Sequence, residues 1–191
     1  MVERSAERGR ATRQRLFDAA VALIGEVGWG GVTTRMVAER AGVAPGVVHY
    51  HFASVNDLLV EASTAFAGAL FGEAARRLTE QPDLGSGLDW LLGELSGYTG
   101  TDPASLLIVE MYLAAGRHPE LRDRLRDMIG DFRSHVAAWL RVNGHTGDAE
   151  AAAALLAATV DGLVLHHSLD PATDITALAG PLRAMLTGQP G

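Results

Sequence analysis

Residues 33–52, TTRMVAERAGVAPGVVHYHF, constrain the fold more than any other part of the chain. A helical pattern runs from Arg35 to Ala41, is broken by Gly42 and again by Ala44-Pro45-Gly46, and then resumes at once. Two short helices joined by a tight turn account for this. Thr33 is a good N-cap for the first. Ala38 is small where the helices must cross closely, Gly42 can take the positive φ of the turn, and Val43 can fill the space beside it. Pro45 suits the first position of the second helix. Val48 and Phe52 lie four residues apart and can share one buried face. That leaves Pro45, Gly46, His49 and Tyr50 facing outward, with His51 at the border. The pattern is a helix-turn-helix.

Helical periodicity continues on both sides. In residues 12–27 the apolar positions Leu16, Ala19, Ala20, Leu23, Ile24 and Val27 fall on one helical face, and Gly28 ends it. Ser54 followed by Asp57 is a capping-box-like start for a long helix to about Glu80, closed by Pro82. Further helices are expected near 86–98, from Asp102-Pro103 to about Gly116, from Pro119 to about Val142, from the Asp148 cap to about His167, and from Thr173 onward. Gly180-Pro181 should kink or split the last one. No alternating apolar runs bounded by hairpin signals occur, so the expected fold is all-α without a sheet. The organisation expected is an N-terminal three-helix head, residues 1–54, and a helical body, residues 55–191, with the boundary within or just before the long fourth helix.

Composition narrows the function classes. The 191 residues include no cysteine, which excludes disulfides, thiolate metal sites and cysteine nucleophiles. The charged N-terminus has no apolar signal region, and no run of about 18 apolar residues is seen, so neither a leader nor a membrane span is expected and the protein reads as cytoplasmic. Net charge is −7, but it is unevenly spread. Residues 1–52 carry seven arginines against five acids, a net of +2, while the remainder carries nine against eighteen. A basic head on an acidic body suggests a polyanionic partner. His166 and His167 are adjacent and point to different sides of a helix, and no HExxH-like spacing exists, so no metal is expected. Neither a phosphate-binding glycine loop nor a nucleophile elbow is present. With no catalytic constellation, an enzyme is not expected, nor is a cofactor.

Three blocks, TRQRLFDAAVALIGEVGWGGVTT (12–34), MVAERAGVAPGVVHYHF (36–52) and SVNDLL (54–59), strongly resemble the tetracycline-repressor (TetR) family in order, spacing and chemistry. LLIVEMYLAAGRHPELRDRLRDM and DGLVLHH look like segments of that family's regulatory domain. The resemblance implies an all-helical homodimer whose head binds double-stranded operator DNA and whose body holds a small-molecule effector. Carried over by position, Thr33 caps the second helix, Thr34 touches phosphate and Arg35 reaches base edges. Pro45, Gly46, Val47, His49, Tyr50 and His51 belong to the recognition helix. Arginine's fork can bind guanine O6 and N7, and Tyr50 and His51 can donate to phosphate oxygens. The chain departs from the family pattern at Ala44, usually Ser, at His49, usually Tyr, and at Val55, usually Lys. The arginine-rich arm from Arg4 to Arg15 is expected to compensate.

The effector candidates are Phe66, Leu70, Trp90, Glu110, Met111, Tyr112, Trp139 and His167, large or polar groups where bundle pockets form. Glu110 stands in an apolar run, SLLIVEMYLAAG (105–116), which reads as a helix buried all round. Its carboxylate therefore needs a partner, with Arg133 or Arg76 expected, or else a polar cavity to face. The alanine-rich helix at 148–167, together with the last helix, is expected to form half of an isologous four-helix dimer interface. The function expected is that of a DNA-binding transcriptional regulator, a repressor released from its operator by a small-molecule ligand. The alternative reading is a helical ligand-binding or protein-interaction module with a decayed DNA-binding head.

Overall fold

The computed structural model describes residues 2–187, with side chains described for 7–186. In chain order the helices are α1 (Val2–Val27), α2 (Thr34–Ala41), α3 (Pro45–His51), α4 (Val55–Thr79), α5 (Leu84–Ser96), α6 (Pro103–Ala115), α7 (Pro119–Val142), α8 (Ala149–Leu169) and α9 (Ala179–Thr187), with 3-10 turns at Trp29–Gly31 and Thr176–Leu178. No strand occurs among the described residues, in keeping with the all-α expectation.

Caps set the boundaries. Asp83 accepts the Ser86 N–H at 2.8 Å, so α5 starts two residues earlier than its apolar pattern. Asp148 accepts the Ala151 N–H at 3.0 Å and opens α8, while Ser54 accepts the Asp57 N–H at 3.1 Å and opens α4. α1 begins ten residues before its apolar stripe, at Val2. Residues 2–11 hold alanine, arginine and glutamate, good helix formers that need no buried face to continue a helix already nucleated. The last helix departs from expectation. Thr173 does not open it, and Gly180-Pro181 neither kinks nor splits it. Asp174 instead caps a 3-10 turn by accepting from Thr176 N–H at 3.0 Å, and α9 starts only at Ala179. Pro181 then lies in the first helical turn, where its missing N–H costs nothing.

The chain forms two compact units. The first comprises the described part of residues 1–67 together with 106–125; the second comprises 68–105 and the described part of 126–191. The division falls inside α4, between Ala67 and Gly68, and assigns most of α6 to the first unit.

In the first unit, Leu16, Ala20 and Ile24 of α1 are fully buried together with Val37 of α2 and Leu58 of α4. Each such leucine, isoleucine or valine side chain contributes about 1.5–3 kcal/mol on leaving water. In the second unit, Leu88 and Leu92 of α5, Leu140 of α7, Ala153 and Leu156 of α8 and Leu182 of α9 close one core. Trp139 lies against Gly87 there, its ring occupying the space a side chain at 87 would need.

α4 and α8 are long and apolar enough to cross a membrane by length and composition, contrary to the expectation that no such segment exists. Alanine and glycine keep their apolar runs inconspicuous to the eye. Little of α8 is buried within the chain.

Candidate nucleic-acid interface

α2 and α3 are built as the spacing requires. Thr33 is extended, with φ −120° and ψ 155°, and its hydroxyl accepts the Met36 N–H at 3.3 Å. α2 ends on Gly42, which is left-handed with φ 65° and ψ 40°. The following Val43 N–H returns to the Ala38 carbonyl at 2.9 Å. Such a conformation is cheap only for glycine. α3 begins at Pro45 after Ala44, which offers no side-chain cap, and it closes with the Phe52 N–H donating to Val48 O at 2.9 Å.

Val48 and Phe52 are buried, fixing the inner face of α3. Outward stand Pro45, Gly46, His49 and Tyr50, the last 84% exposed, with Val47 and His51 half-buried at the edges. The Tyr50 and His51 rings meet edge to face at 5.1 Å. At the start of α2, Thr33 and Arg35 are exposed and Thr34 is half-buried. The nine residues expected to face DNA therefore lie on two consecutive short helices and the cap before them.

The inner face is held by a feature with no sequence signal. The Arg13 guanidinium sits 4.7 Å from the Phe52 ring centroid and 5.2 Å from that of Phe17, and pairs with the Glu61 carboxylate of α4. The rings of Phe17 and Phe52 are 5.9 Å apart. Arg13 thus ties the end of α3 to α1 and α4. Within the arm expected from Arg4 to Arg15, Arg13 is thus paired in the chain and laid over two rings, with 40% of its side chain still exposed. Arg40 is likewise engaged, in a two-pronged pair with Glu26 at 2.8 and 2.7 Å. That bond holds the Glu26 carboxyl below its ordinary range and pushes Arg40 further up. Arg8, Arg10, Arg15 and Arg35 stay on the surface, and the side chain of Arg4 lies outside the described residues.

The eight effector candidates do not fall in one unit. Phe66, Glu110, Met111 and Tyr112 belong to the first, and Leu70, Trp90, Trp139 and His167 to the second. Met111 is fully buried, while Phe66 and Tyr112 are exposed at 37% and 40%. Trp90 packs against the core that contains Trp139. Trp139 Nε1 and His167 Nδ1 are buried with no hydrogen-bond partner among the described residues, which marks them as polar positions needing an explanation.

Glu110 departs from both partners expected for it. Its carboxylate accepts the main-chain N–H of Trp29 at 2.8 Å. Arg76 is engaged by Glu73 on its own helix and by Glu80 just past its end. Nor is α6 buried all round: Leu107 and Met111 are inside, but Leu113 is 62% exposed. An apolar count overstated burial because the exposed face of α6 is itself apolar.

Comparison with known proteins matches this arrangement twice over. Residues 16–62 match the family described as bacterial regulatory proteins, tetR family, and residues 86–188 match the tetracyclin repressor-like C-terminal domain. The chain is 30% identical over 162 residues to the HTH-type transcriptional regulator BetI of Serratia proteamaculans (strain 568), covering 82% of this chain and 81% of that protein. Among solved structures, a transcriptional regulator from Rhodococcus sp. Rha1 is similar with a TM-score of 0.70 and 27% identity, over 94% of this chain and 96% of that one. A transcriptional regulator from Saccharomonospora viridis, solved in complex with choline, shares the fold with a TM-score of 0.75 and 22% identity, over 91% and 94%. With head and body both matched, and with the turn, the buried α3 face and the exposed reading surface in place, the chain belongs to the TetR family of helix-turn-helix transcriptional regulators.

Proposed function

We propose that the protein is a homodimeric repressor that leaves its operator when a small organic effector binds. The observation that carries this reading is the exposed surface of α3 and of the start of α2, rigidly backed by Val48 and Phe52. Arg35 is the base reader, bidentate to guanine, while Thr34, Tyr50 and His51 position the head on phosphates. Thr33, as N-cap, and Pro45, Gly46, Val47 and His49 complete the approach to the groove. The family pattern's missing cap at Ala44 weakens the start of α3 without removing its reading surface.

Dimerisation through α8 and α9 is supported by apolar surface left uncovered by the described residues. Leu155 and Leu165 are about half exposed, Leu169 is 85% exposed, and Met185 of α9 is 59% exposed. An uncovered apolar face of this kind marks an interface, and a second copy satisfies it isologously. The reading puts the protein in the cytoplasm, with the DNA it binds. Phe66, Leu70, Trp90, Glu110, Met111, Tyr112, Trp139 and His167 were the sequence candidates for the effector. Of these, Trp139 and His167, each with a buried unpartnered nitrogen, are the polar groups best suited to orient a ligand. Choline, held by a protein of the same fold, is the first effector to test.

Selection of bound duplexes from a randomised double-stranded pool tests the reading. A recovered site with twofold symmetry, bound by a dimer in sedimentation and released by a small molecule, is the expected result. Failure to enrich any sequence would overturn it, and a monomer at micromolar concentration would overturn the dimer.

A further inference from the structure

The surface formed by α3 and the start of α2 carries one permanent cation. Of the nine residues expected to face DNA there, Thr33, Thr34, Pro45, Gly46, Val47 and Tyr50 are uncharged at neutral pH, and Arg35 alone is always charged. The other two are His49 and His51, in the last turn of α3. Imidazole is the side chain whose charge ordinarily changes between pH 5 and 8. With both rings charged, the surface presents three cations in place of one.

Their placement suits phosphate. Successive residues of a helix stand about 100° apart. Val48 and Phe52 point inward and are buried, so Tyr50 stands near the outer crest, with His49 on one flank and His51 on the other. The flanks of a helix seated in the major groove lie nearest its sugar–phosphate walls. His51 is half-buried and oriented by its neighbours: its ring meets Tyr50 edge to face at 5.1 Å and lies 6.3 Å from the Phe52 ring. His49 is exposed, with no ring contact, hydrogen bond or ion pair among the described residues.

No acid within the chain is positioned to neutralise a charge on either ring. α3 contains none. α2 carries Arg35, Glu39 and Arg40, the last paired with Glu26 of α1. α1 brings Arg10, Arg13 and Asp18, and α4 brings Asp57 and Glu61. Glu61 is taken by Arg13, whose guanidinium lies over the Phe52 ring, and Asp18 accepts from Gln14 at 2.8 Å. Among the described residues, neither imidazole has a carboxylate partner. A phosphate oxygen is the anion that a charged ring there lacks.

We infer that DNA binding by this head is coupled to proton uptake: His49 and His51 each take a proton from the solvent as they meet phosphate, which makes acidity a second input beside the effector. The inference rests on the regulator reading above and deepens it. An imidazolium donates to phosphate through a charge-assisted bond, stronger than the bond a neutral ring makes. A group that holds its proton more firmly in the complex than in the free protein adds affinity at low pH and loses it as pH rises. At the alkaline end, the reading surface is left with Arg35.

The test uses the full chain and the duplex recovered from the randomised pool, titrated by fluorescence anisotropy at about pH 6 and about pH 8. Wild type is expected to bind roughly five- to tenfold more tightly at the lower pH, the scale of one pH unit of linkage. The slope of log affinity against log salt should steepen there by about 0.9 for each imidazole engaged. His49→Gln should lose part of the pH effect, and His49→Gln with His51→Gln all of it. His49→Arg, with a fixed charge, should bind more tightly than wild type at about pH 8 and respond less to pH. His135→Gln, on the exposed side of α7, should respond as wild type does. Calorimetry of wild type in two buffers of different ionisation enthalpy counts the protons directly and needs no variant. Wild-type affinity that is flat with pH, no proton uptake, or a pH effect that survives in the double glutamine variant overturns the inference and leaves the regulator reading standing. A wild type that selects no duplex at either pH sinks that reading and the proton coupling with it.

Discussion

Gly87→Ala tests the packing of the second unit at a single atom. Position 87 lies in the first half of α5, and a Cβ there would stand 2.2 Å from Trp139 Cζ2 and 2.5 Å from Cη2, with Leu78 Cδ1 at 3.3 Å. Carbon atoms are comfortable at about 3.5–4.0 Å, so the indole must retreat by about 1 Å or α5 must move. Trp139 is only 4% exposed and has little room to do so. Overpacking of this kind costs about 1–3 kcal/mol, and removing a helical glycine returns about 0.5–1 kcal/mol. A net loss near 1–2 kcal/mol corresponds to a fall in Tm of roughly 2–8 °C for a chain of this size. Trp139→Phe vacates the outer ring that the new methyl would strike and also removes the unpartnered indole N–H. Gly87→Ala should therefore cost about 1 kcal/mol less in the Trp139→Phe background, a coupling expected only of residues in contact. Thermal unfolding of the four proteins by circular dichroism measures it. A Gly87→Ala protein as stable as wild type, or strict additivity in the double variant, refutes the packing argument.

Arg35→Ala should lose about 1–3 kcal/mol on the selected operator and relax base choice at one position; unchanged affinity by fluorescence anisotropy would remove Arg35 as the base reader. Replacing Arg8 and Arg10 by Ala should weaken binding to all sequences and flatten its salt dependence. Arg13→Ala should instead lower Tm, because its guanidinium braces Phe52 and Glu61; a flattened salt slope at unchanged Tm would return Arg13 to the DNA-contacting set. Asp102→Ala should cost about 0.5–2 kcal/mol at neutral pH through loss of the α6 cap, since its carboxylate accepts from Ser105 N–H at 3.0 Å and Thr99 N–H at 2.9 Å. Burial alone would raise the Asp102 carboxyl, but the Ser105 hydroxyl and these main-chain donors hold it below its ordinary 3.8. The stabilisation is therefore present above that ordinary value and lost as pH falls through the lowered one. The gap in Tm between wild type and Asp102→Ala should close on acidification, and a gap that widens would contradict the sign.

The turn between α2 and α3 was legible because its determinants are local. Thr33, Gly42 and Pro45 each answer a backbone need within a few residues, and the Val48–Phe52 spacing identifies the buried face by itself. The helix series was legible for the same reason, apart from the start of α1, where propensity rather than an apolar stripe carries the helix, and the last helix, which starts only at Ala179 after the Asp174-capped turn. Contacts across the chain were not legible. Arg13 and Glu61 are 48 residues apart and Trp29 and Glu110 are 81 apart. Residue type led to arginine as the partner of Glu110, yet its observed partner is a main-chain N–H, which every residue but proline carries and no composition reveals. The apolar surface of α8 and of the outer side of α6 likewise reads as core in a single chain.

The commitment of Arg13 to Glu61 also bears on how the protein finds its site. Counting charges along residues 1–52 makes the head a modest polycation, but Arg13 spends its charge on α4 and Arg40 spends its charge on Glu26. Two of the seven arginines in residues 1–52 are thus engaged within the chain, and the remainder of the sequence is acidic. Attraction to arbitrary DNA scales with the phosphates a protein neutralises. On the proposed reading, non-specific encounters would be brief, and occupancy of an operator would rest on base contacts by Arg35 and α3 rather than on phosphate attraction.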